Sequence, residues 1–343
     1  MSANWIQDVA ARYRAATGSS RSVLSTARSQ RSPQLIVSPF ASEVRNLSRA
    51  PLVYEEQSLL DEALEILPLE RLYSGAEQAA EKDDSWGMQD HLILALLKWF
   101  RNDFFTWVNE PACTNCLDSQ TAAIGGAAPT HQELADGAAR VELYECKSCK
   151  TIVRFPRYGH PRKLLSFRKG RCGEWANCFT LLCRSLGSRA RWVWCAEDHV
   201  WTEVYSETKK RWIHADSCET AWDQPRLYEQ GWGKKMSYAI AFSADGATDV
   251  SRRYIRTEGG QLPRNRIPES ELVMTLQAIT RERRIALSAS EKADLEHEDS
   301  AEERELQSYV SQSTPASTAE LRPRETGAGE WTEARGENGK RRY

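Results

Sequence analysis

Cys172 stands at the start of a predicted helix, where the chemistry of a thiol can change. Residues 173–186, GEWANCFTLLCRSL, are typical of a helix, and Gly187 is a typical C-terminal cap. The unpaired N–H groups and the positive dipole end at a helix N-terminus favour thiolate over thiol and lower the thiol pKa. Cys178 and Cys183 lie inside the same helix among apolar residues and are interpreted as inert core thiols. Position alone therefore selects Cys172 as the candidate nucleophile.

A nucleophilic thiol needs a general base, and two predicted strands supply a candidate. The runs HVWTEVYS and RWIHADS flank the polar turn SETKK and predict a β-hairpin. If residues 206–209 form a four-residue loop, Tyr205 pairs with Lys210, and His199 faces Asp216 across the ladder. The hairpin would then present a His–Asp pair to an approaching thiol. A register error of one residue would break this arrangement.

Three further residues of the hairpin bear on this prediction. Trp201 and Glu203 follow His199 at period two, so they share its face of the sheet. His214 is the rival base, but in the same register it faces Trp201 and has no acid opposite it. His199 is therefore preferred. Ring stacking by Trp201 and hydroxyl hydrogen bonds from Glu203 are candidate contacts with a substrate; packing and a solvated strand edge are the alternatives.

Two CxxC pairs, Cys113-Thr-Asn-Cys116 and Cys146-Lys-Ser-Cys149, have the spacing of zinc knuckles. The two-residue gap lets both thiolates of a pair point at one ion, and two pairs complete a tetrahedral Cys₄ site with no open position. His131 lies between the pairs, but four thiolates already satisfy zinc. We therefore expect one structural Zn²⁺; two unrelated cysteine pairs or a redox motif are the alternatives.

Composition limits the classes of protein that the chain can represent. The 343 residues suffice for a sizeable core, and the net charge of −2 gives no general case for nucleic acid or an anionic membrane as a partner. No run of about 18 apolar residues predicts a membrane span, and the N-terminus lacks the apolar centre of a secretory signal. The odd total of nine cysteines, four of them in CxxC pairs, favours reduced thiols and metal over disulfides.

The distribution of apolar, polar and charged residues divides the chain into five predicted parts. Apolar residues recur at helical spacing near the N-terminus, a Ser- and Arg-rich stretch follows, and the last sixty residues are polar and nearly free of large apolar side chains. The predicted parts are an N-terminal helix and flexible arm (1–35), a helical part of the catalytic domain (36–110), a zinc-binding segment (111–155), a catalytic core (156–283) and a disordered charged tail (284–343).

Residues 88–108 carry the strongest helical stripe in the sequence. Ile93, Leu97, Phe100, Phe104 and Trp107 step by four, three, four and three residues. A proline at 111 follows and stops the pattern. This spacing predicts one helix that buries these side chains, the last aromatic among them.

Four stretches carry a family resemblance: GRCGEWANCF, EDHVWTEVYS, RWIHADSCE and WGKKMSYAIAFSADGATDVSRRY. They resemble the cytoplasmic peptide:N-glycanases of fungi, members of the transglutaminase-like superfamily, over about residues 50–256. The resemblance implies an α+β fold related to papain, with helices packed on an antiparallel sheet and a Cys₄ zinc-knuckle subdomain. It further implies Cys172 as nucleophile, His199 as general base and acid, Asp216 as the group that orients it, and Trp107 as a tryptophan that reaches the site from the upstream helix.

The resemblance also implies an activity and its partners. The implied reaction is cleavage of the amide between an asparagine side chain and the first sugar of an N-glycan, on misfolded glycoproteins, in the cytoplasm, with the nucleus as a second compartment. The backbone N–H of Cys172 and the indole N–H of Trp107 are candidate oxyanion donors. A ubiquitin-receptor shuttle of the proteasome is an implied partner, for which the helix at Trp5–Ala16 offers a docking element; a monomer is expected.

Three other functions compete with this interpretation. A protein-crosslinking transglutaminase would use the same triad but pass the acyl group to an amine, and a thiol protease would need a groove for a peptide backbone. A catalytically silent scaffold, like the DNA-damage recognition proteins built on a degenerate form of the fold, would lack the triad. All three residue types are present here, and the sequence motifs match the glycanases better.

Overall fold

The computed structural model describes residues 38–311, 316–334 and 337. The predicted N-terminal helix and arm lie outside these residues. Eleven α-helices are seen in the described part. They are α1 (Pro39–Leu47), α2 (Gln57–Ile66), α3 (Leu69–Ala80), α4 (Met88–Trp99), α5 (His131–Ala135), α6 (Pro161–Phe167), α7 (Cys172–Ser185), α8 (Ser251–Tyr254), α9 (Glu269–Arg284), α10 (Ala289–Ser311) and α11 (Gly329–Ala334).

Shorter helical turns connect several of these elements. Three are 3₁₀ turns, at Ala50–Glu55, Glu258–Gly260 and Thr318–Leu321. Two are π-helical turns, at Phe100–Phe104 and Leu227–Gly231, and both lie beside the residues that form the candidate site.

The central sheet has six antiparallel strands in the order β11-β10-β6-β7-β8-β9. Its strands are β6 (Ala190–Cys195), β7 (His199–Ser206), β8 (Arg211–Asp216), β9 (Ala221–Trp222), β10 (Ala239–Phe242) and β11 (Ala247–Asp249). Every residue of β7 is buried, because α7 covers one face and the elements after β9 cover the other. Helices packed on an antiparallel sheet confirm the predicted α+β class.

Two smaller sheets complete the fold. Strands β2 (Thr121–Ala127), β3 (Ala138–Cys146) and β4 (Ile152–Tyr158) form an antiparallel sheet that carries one CxxC pair at a turn. Strands β1 (Thr106–Trp107) and β5 (Lys169–Gly170) form a short parallel pair, with Trp107 opposite Gly170. The second pair joins the upstream helices to the chain immediately before α7.

The predicted hairpin is present, but its register differs from the prediction by two residues. The turn comprises residues 207–210, and Ser206 pairs with Arg211. The reason is local, since the hydroxyl of Ser206 accepts the N–H of Lys209 at 3.0 Å and so closes the turn one residue later than predicted. An even shift leaves every side chain on its predicted face of the sheet.

The stripe at 88–108 does not form one continuous helix. The α-helix ends at Trp99, a π-helical turn follows, and Phe105 is extended with φ −121° and ψ 139°. Phe100 and Phe104 are buried as predicted, but Trp107 lies on β1. The wider π-helical turn ends the regular repeat of the α-helix, and pairing with β5 then holds the following residues extended.

The prediction of a disordered tail from residue 284 is wrong for the described part of that tail. Helix α10 packs on the sheet, where the carboxylate of Glu302 accepts Arg191 at 2.5 Å and Arg253 at 2.8 Å. All three side chains are buried, and Leu306 on the same helix is 2% exposed. Low apolar content suggested disorder, but charged side chains bury well when they are paired and hydrogen-bonded.

No helix in the described residues is both long enough and apolar enough to cross a bilayer.

Candidate active site

Cys172 is the first residue of α7, as predicted, and is partly exposed. The helix start is fixed by Glu174, whose carboxylate accepts the N–H of Arg171 at 2.9 Å. This carboxylate replaces a missing helical partner in the first turn and favours the start of the helix at this point. The same carboxylate accepts the guanidinium of Arg157 from β4 at 2.7 Å. The position of the thiol is therefore set by an ion pair between α7 and the smaller sheet.

A second set of contacts ties Arg171 to the chain that carries Trp107 and to β3. Its guanidinium donates to the carbonyl of Val108 at 3.0 Å and of Asn109 at 3.1 Å. It also donates to both carboxylate oxygens of Glu142, at 3.0 and 2.9 Å. Glu142 lies four residues before Cys146 on β3, so the segment with the CxxC pairs is mechanically joined to the residue that precedes the thiol.

The electrostatics of Cys172 differ from the expectation of a lowered pKa. Burial raises the pKa of the Cys172 thiol, and the charge of Arg324 opposes this rise without cancelling it. Burial thus acts against the effect expected of the helix N-terminus, and a thiol whose pKa is raised needs a base to form its thiolate.

His199 and Asp216 form a buried hydrogen-bonded pair. The Nε2 of His199 lies 2.9 Å from Oδ2 of Asp216, and both side chains are about 1% exposed. Nε2–H donates to the carboxylate, so the neutral ring carries its lone pair on Nδ1. Within the described residues Nδ1 of His199 has no hydrogen-bond partner, and no hydrogen bond joins it to Cys172. The nitrogen that a base needs is thus available.

Opposing influences set the proton affinities of this pair. Burial disfavours the charged form of Asp216 and would raise its pKa. The hydrogen bond and charge of His199 outweigh this effect, together with the charge of His214 and the hydroxyl of Tyr228. The pKa of Asp216 therefore lies far below its usual range. The Tyr228 hydroxyl donates to Oδ2 at 2.9 Å, and the N–H of Cys218 donates to Oδ1 at 2.8 Å. Burial also lowers the pKa of His199, and the attraction of Asp216 restores only part of it.

Both ring nitrogens of His214, the alternative base, are hydrogen-bonded. Nε2 of His214 is 2.7 Å from the hydroxyl of Tyr228, and its Nδ1 lies 3.3 Å from the N–H of Gln224. Because Tyr228 donates its proton to Asp216, it accepts from His214. Burial lowers the pKa of His214 to about 4. With both nitrogens bound, His214 supports Asp216 from behind and has no nitrogen free to act as a base.

Trp107 lies at the candidate site, but it belongs to strand β1 and not to the upstream helix. Its indole N–H is already hydrogen-bonded. Its ring centroid is 6.2 Å from that of Trp175 on α7. Its indole N–H donates to the side chain of Asn109 at 2.8 Å. To act as an oxyanion donor, Trp107 would first have to leave Asn109, whereas the backbone N–H of Cys172 lies in the first turn of α7 without a helical acceptor.

Trp201 and Glu203 are both fully buried, which contradicts direct contact with a substrate. Trp201 packs beneath the base, with its ring centroid 5.7 Å from that of His199 and 4.6 Å from that of Tyr228. Burial raises the pKa of Glu203, but Arg191 and Arg253 more than compensate and lower it to about 2. Trp201 supports the base, and Glu203 anchors the sheet to the elements after it.

The four cysteines of the CxxC pairs converge as predicted. The Sγ atoms of Cys113 and Cys149 are 3.5 Å apart, as are those of Cys116 and Cys146, and all four lie within 4.8 Å of one another. Tetrahedral Zn²⁺ with Zn–S bonds of 2.3 Å requires sulfur atoms about 3.8 Å apart. The cluster therefore has the size and the donor set for one metal ion.

Sequence reasoning missed several residues of the site. The spacing of Arg171 and Glu174 is that of a helix N-cap and its third residue, and this signal could have been read. Tyr228 and Trp232 carried no such signal. Both pack edge-on against the ring of His199, with centroids 5.0 and 5.1 Å away.

Two family profiles match the sequence. The profile of the transglutaminase-like superfamily matches residues 121–217, and that of the Rad4 transglutaminase-like domain matches residues 188–307. A crystal structure of Rad4-Rad23 crosslinked to an undamaged DNA is similar at a TM-score of 0.47 and 13% identity, over 82% of this chain and 59% of that one.

Curated relatives are much more similar. A peptide-N(4)-(N-acetyl-beta-glucosaminyl)asparagine amidase of Yarrowia lipolytica is 49% identical over 90% of this chain and 87% of its own length. The protein of the same name from Saccharomyces cerevisiae is 41% identical over 84% of this chain and 82% of its length. The human one is 41% identical over 85% of this chain but only 45% of its own length.

Proposed function

The chain belongs to the family of peptide-N(4)-(N-acetyl-beta-glucosaminyl)asparagine amidases, hydrolases that act on amide bonds, and from this membership we propose that it removes N-linked glycans through Cys172, His199 and Asp216. One observation carries the assignment of these residues. The buried His199–Asp216 pair leaves Nδ1 of the histidine unpartnered, and Cys172 begins a helix that is rigidly capped. Both features support a role for Cys172 as nucleophile and for His199 as its base.

The proposed reaction proceeds in two halves. His199 takes the proton of the Cys172 thiol, and the thiolate attacks the carbonyl carbon of the asparagine side chain. His199 then protonates the departing nitrogen, which leaves as a glycosylamine, and a thioester remains on Cys172. Water, deprotonated by the same histidine, hydrolyses the thioester and releases an aspartate. Asp216 keeps the ring in the tautomer that serves both halves.

A gel-shift assay on a denatured high-mannose glycoprotein tests this function. The wild-type protein is expected to increase the mobility of the substrate, and Cys172→Ala is expected to leave it unchanged. No shift with folded wild-type protein would favour the catalytically silent scaffold instead.

Zn²⁺ is the metal that we propose for the cluster of Cys113, Cys116, Cys146 and Cys149. Four thiolates suit a closed structural site that supplies folding energy and no chemistry. Its effect on the active site would travel along β3, because Cys146 ends the strand from which Glu142 holds Arg171. Zinc would thereby fix the wall of the cleft opposite His199.

Loss of the metal is expected to reduce activity as well as stability. Replacing Cys146 by serine should release about one equivalent of zinc and lower kcat/KM at least about tenfold, because the support of Arg171 is loosened. Metal content and kcat/KM are measured on the same sample. Cys195→Ala, which alters a buried cysteine outside the cluster, is the matched control. Unchanged activity in a zinc-free protein would refute the role.

The pH dependence follows from the lowered pKa of His199. The free histidine value is about 6.5, and burial places that of His199 below it, so the ring remains a base through neutral pH. We expect kcat/KM to be level from about pH 8 to 6.5 and to fall in acid as His199 takes up a proton. The folded state is destabilised in the same direction, because the unfolded chain protonates His199 and His214 more readily. Circular dichroism separates the two effects, and a midpoint of the acid limb above 6.5 would contradict the assignment.

Biological context extends the proposal. We propose that the substrates are misfolded N-glycosylated proteins marked for degradation, that the protein acts in the cytoplasm, with the nucleus as a second compartment, and that it is a monomer. Association with a proteasome-shuttle ubiquitin receptor would use the helix predicted at Trp5–Ala16, which lies outside the described residues. Deletion of residues 1–17 would then abolish that association and spare activity on free glycopeptide.

A further inference from the structure

The C-terminal segment, defined as residues 316–334 and Glu337, lies across the candidate active site and touches both of its walls. On the side of His199, the N–H of Arg226 donates to Glu320 at 3.0 Å, and Nζ of Lys234 donates to Glu337 at 2.6 Å. On the side of Trp107, Arg101 donates to Glu325 at 3.1 Å. These contacts are polar, so the segment is held across the cleft mainly by hydrogen bonds and ion pairs.

Glu219 binds backbone and side-chain groups of this segment. Its buried carboxylate accepts the backbone N–H of Glu325 at 2.9 Å and of Thr326 at 3.1 Å. It also accepts the hydroxyl of Thr326 at 2.6 Å, and its carbonyl accepts the guanidinium of Arg322 at 2.6 Å. Glu219 lies three residues after Asp216. The group that holds the segment is therefore anchored directly beside the base.

Two residues before Thr326, the guanidinium of Arg324 lies against two tryptophans of the candidate site. Its guanidinium carbon lies 4.5 Å from the ring centroid of Trp232 and 5.9 Å from that of Trp107. Trp232 packs on His199, and Trp107 pairs with the residue two before Cys172. The guanidinium also donates to the carboxylate of Glu337, and its positive charge opposes the rise in the pKa of Cys172 and lowers the pKa of His199.

The spacing of these contacts matches that of a glycosylation sequon. In Asn-X-Ser/Thr the hydroxyl residue follows the asparagine by two positions, as Thr326 follows Arg324. The side chain in the asparagine position lies against Trp107 and Trp232, while the residue in the threonine position is bound by Glu219. A guanidinium offers no amide carbonyl to attack, so Arg324 can occupy the place of the glycosylated asparagine without being cleaved.

We propose that Glu219 determines specificity by binding the third residue of the substrate's Asn-X-Ser/Thr sequon, and that Arg324–Thr326 fills this subsite in the resting protein. The proposal rests on the proposed glycanase function, because it names the part of the substrate that Glu219 would contact. A substrate polypeptide displaces the C-terminal segment and takes over the three hydrogen bonds that Glu325 and Thr326 make. A glycan alone lacks the main chain and hydroxyl for these contacts.

Two glycopeptides that differ only in threonine or alanine two residues after the glycosylated asparagine test the specificity. Wild-type kcat/KM is expected to be about tenfold higher for the threonine peptide, the size of effect that one hydrogen bond to a carboxylate gives. In Glu219→Ala the ratio is expected to fall to about one. A residue with only a structural role would lower both values equally and preserve the ratio. A wild-type ratio near one, or the same ratio in Glu219→Ala, would overturn the proposal.

Alkylation of Cys172 by iodoacetamide tests occupancy of the subsite without requiring glycanase activity. In Thr326→Ala the full-length protein is expected to react about threefold faster at Cys172 than wild type, because the segment is held less firmly. Thr332→Ala is the matched control, since its hydroxyl bonds only to the carbonyl of Gly329 within the segment. The buried Cys178 and Cys183 report any unfolding. Equal rates in Thr326→Ala and wild type would overturn the occupancy.

The two tests separate two kinds of failure. Wild-type protein that cleaves neither glycopeptide would overturn the proposed function and the substrate assigned to Glu219. Faster alkylation of Thr326→Ala would, in that case, still support occupancy of the cleft by Arg324–Thr326.

Discussion

Replacing Cys172 by alanine is expected to lower kcat/KM for a glycopeptide at least about 10⁴-fold, because no other group can form the thioester. The structure offers no substitute nucleophile among the other described cysteines around His199, since Cys178, Cys183, Cys195 and Cys218 are completely buried. Burial raises the pKa of all four thiols, which suppresses their thiolate forms. The measurement is steady-state release of glycan at neutral pH.

The matched control is Cys178→Ala, which removes a thiol from the same helix. It is expected to retain kcat/KM within about twofold and to lower the free energy of unfolding by about 1 kcal/mol through a small cavity. Activity of Cys172→Ala within about tenfold of wild type would rule out covalent catalysis by this residue.

The second large effect is expected at Asp216. Replacing it by asparagine should reduce kcat about 10³- to 10⁴-fold, because an amide can donate to Nε2 and so stabilise the wrong tautomer of His199. The carboxylate also accepts the hydroxyl of Tyr228 and the N–H of Cys218, so the variant disturbs the orientation of the ring as well as its charge. The measurement is kcat under saturating substrate, accompanied by the rate of Cys172 alkylation as a function of pH.

Asp223→Asn serves as the control for this variant. Asp223 pairs with Arg211 at the far end of β8, 2.6 Å away, and has no contact with the imidazole of His199. We expect its kcat to remain within about twofold of wild type, since a partly exposed ion pair contributes little. If both aspartate variants lost the same activity, the loss would reflect a general weakening of the sheet.

Residue type and periodicity predicted the helix and the hairpin that carry Cys172, His199 and Asp216. The run GEWANCFTLLCRSL forms the helix that Cys172 begins, and the hairpin brings His199 within 2.9 Å of Asp216 although its register is shifted by two residues. Side-chain face depends only on whether a shift is odd or even, which is why the pair survived. The four cysteines converge because the CxxC spacing is itself a short-range geometric constraint.

What could not be predicted depends on long-range charge pairing. Glu203 had the pattern of a strand edge, but Arg191, Arg253 and Glu302 bury it in an ion-pair cluster that draws α10 onto the sheet. The partner in that cluster lies about a hundred residues away in a polar stretch. Arg324 was missed for the same reason, because its contacts with Trp107 and Trp232 have no local sequence signal.

Trp107 illustrates a different limit. Its spacing continued the helical stripe, but a π-helical turn at Phe100–Phe104 ends the helix and presents the next residues to β5. Periodicity cannot detect a pairing with residues sixty positions further along the chain. Irregular π-helical turns of this kind occur frequently at functional sites.

Hydrolysis by Cys172 can be tested most directly by the mass of the peptide product. A synthetic glycopeptide is incubated with the wild-type protein and, in parallel, with Cys172→Ala. The mass of the released peptide is then measured by mass spectrometry. The wild-type product is expected to contain aspartate, about one dalton heavier than the asparagine peptide, and about two daltons heavier again when the reaction is run in ¹⁸O water. The variant should give no product. Release of an unmodified asparagine peptide, or an equal yield of aspartate from the variant, would contradict the mechanism.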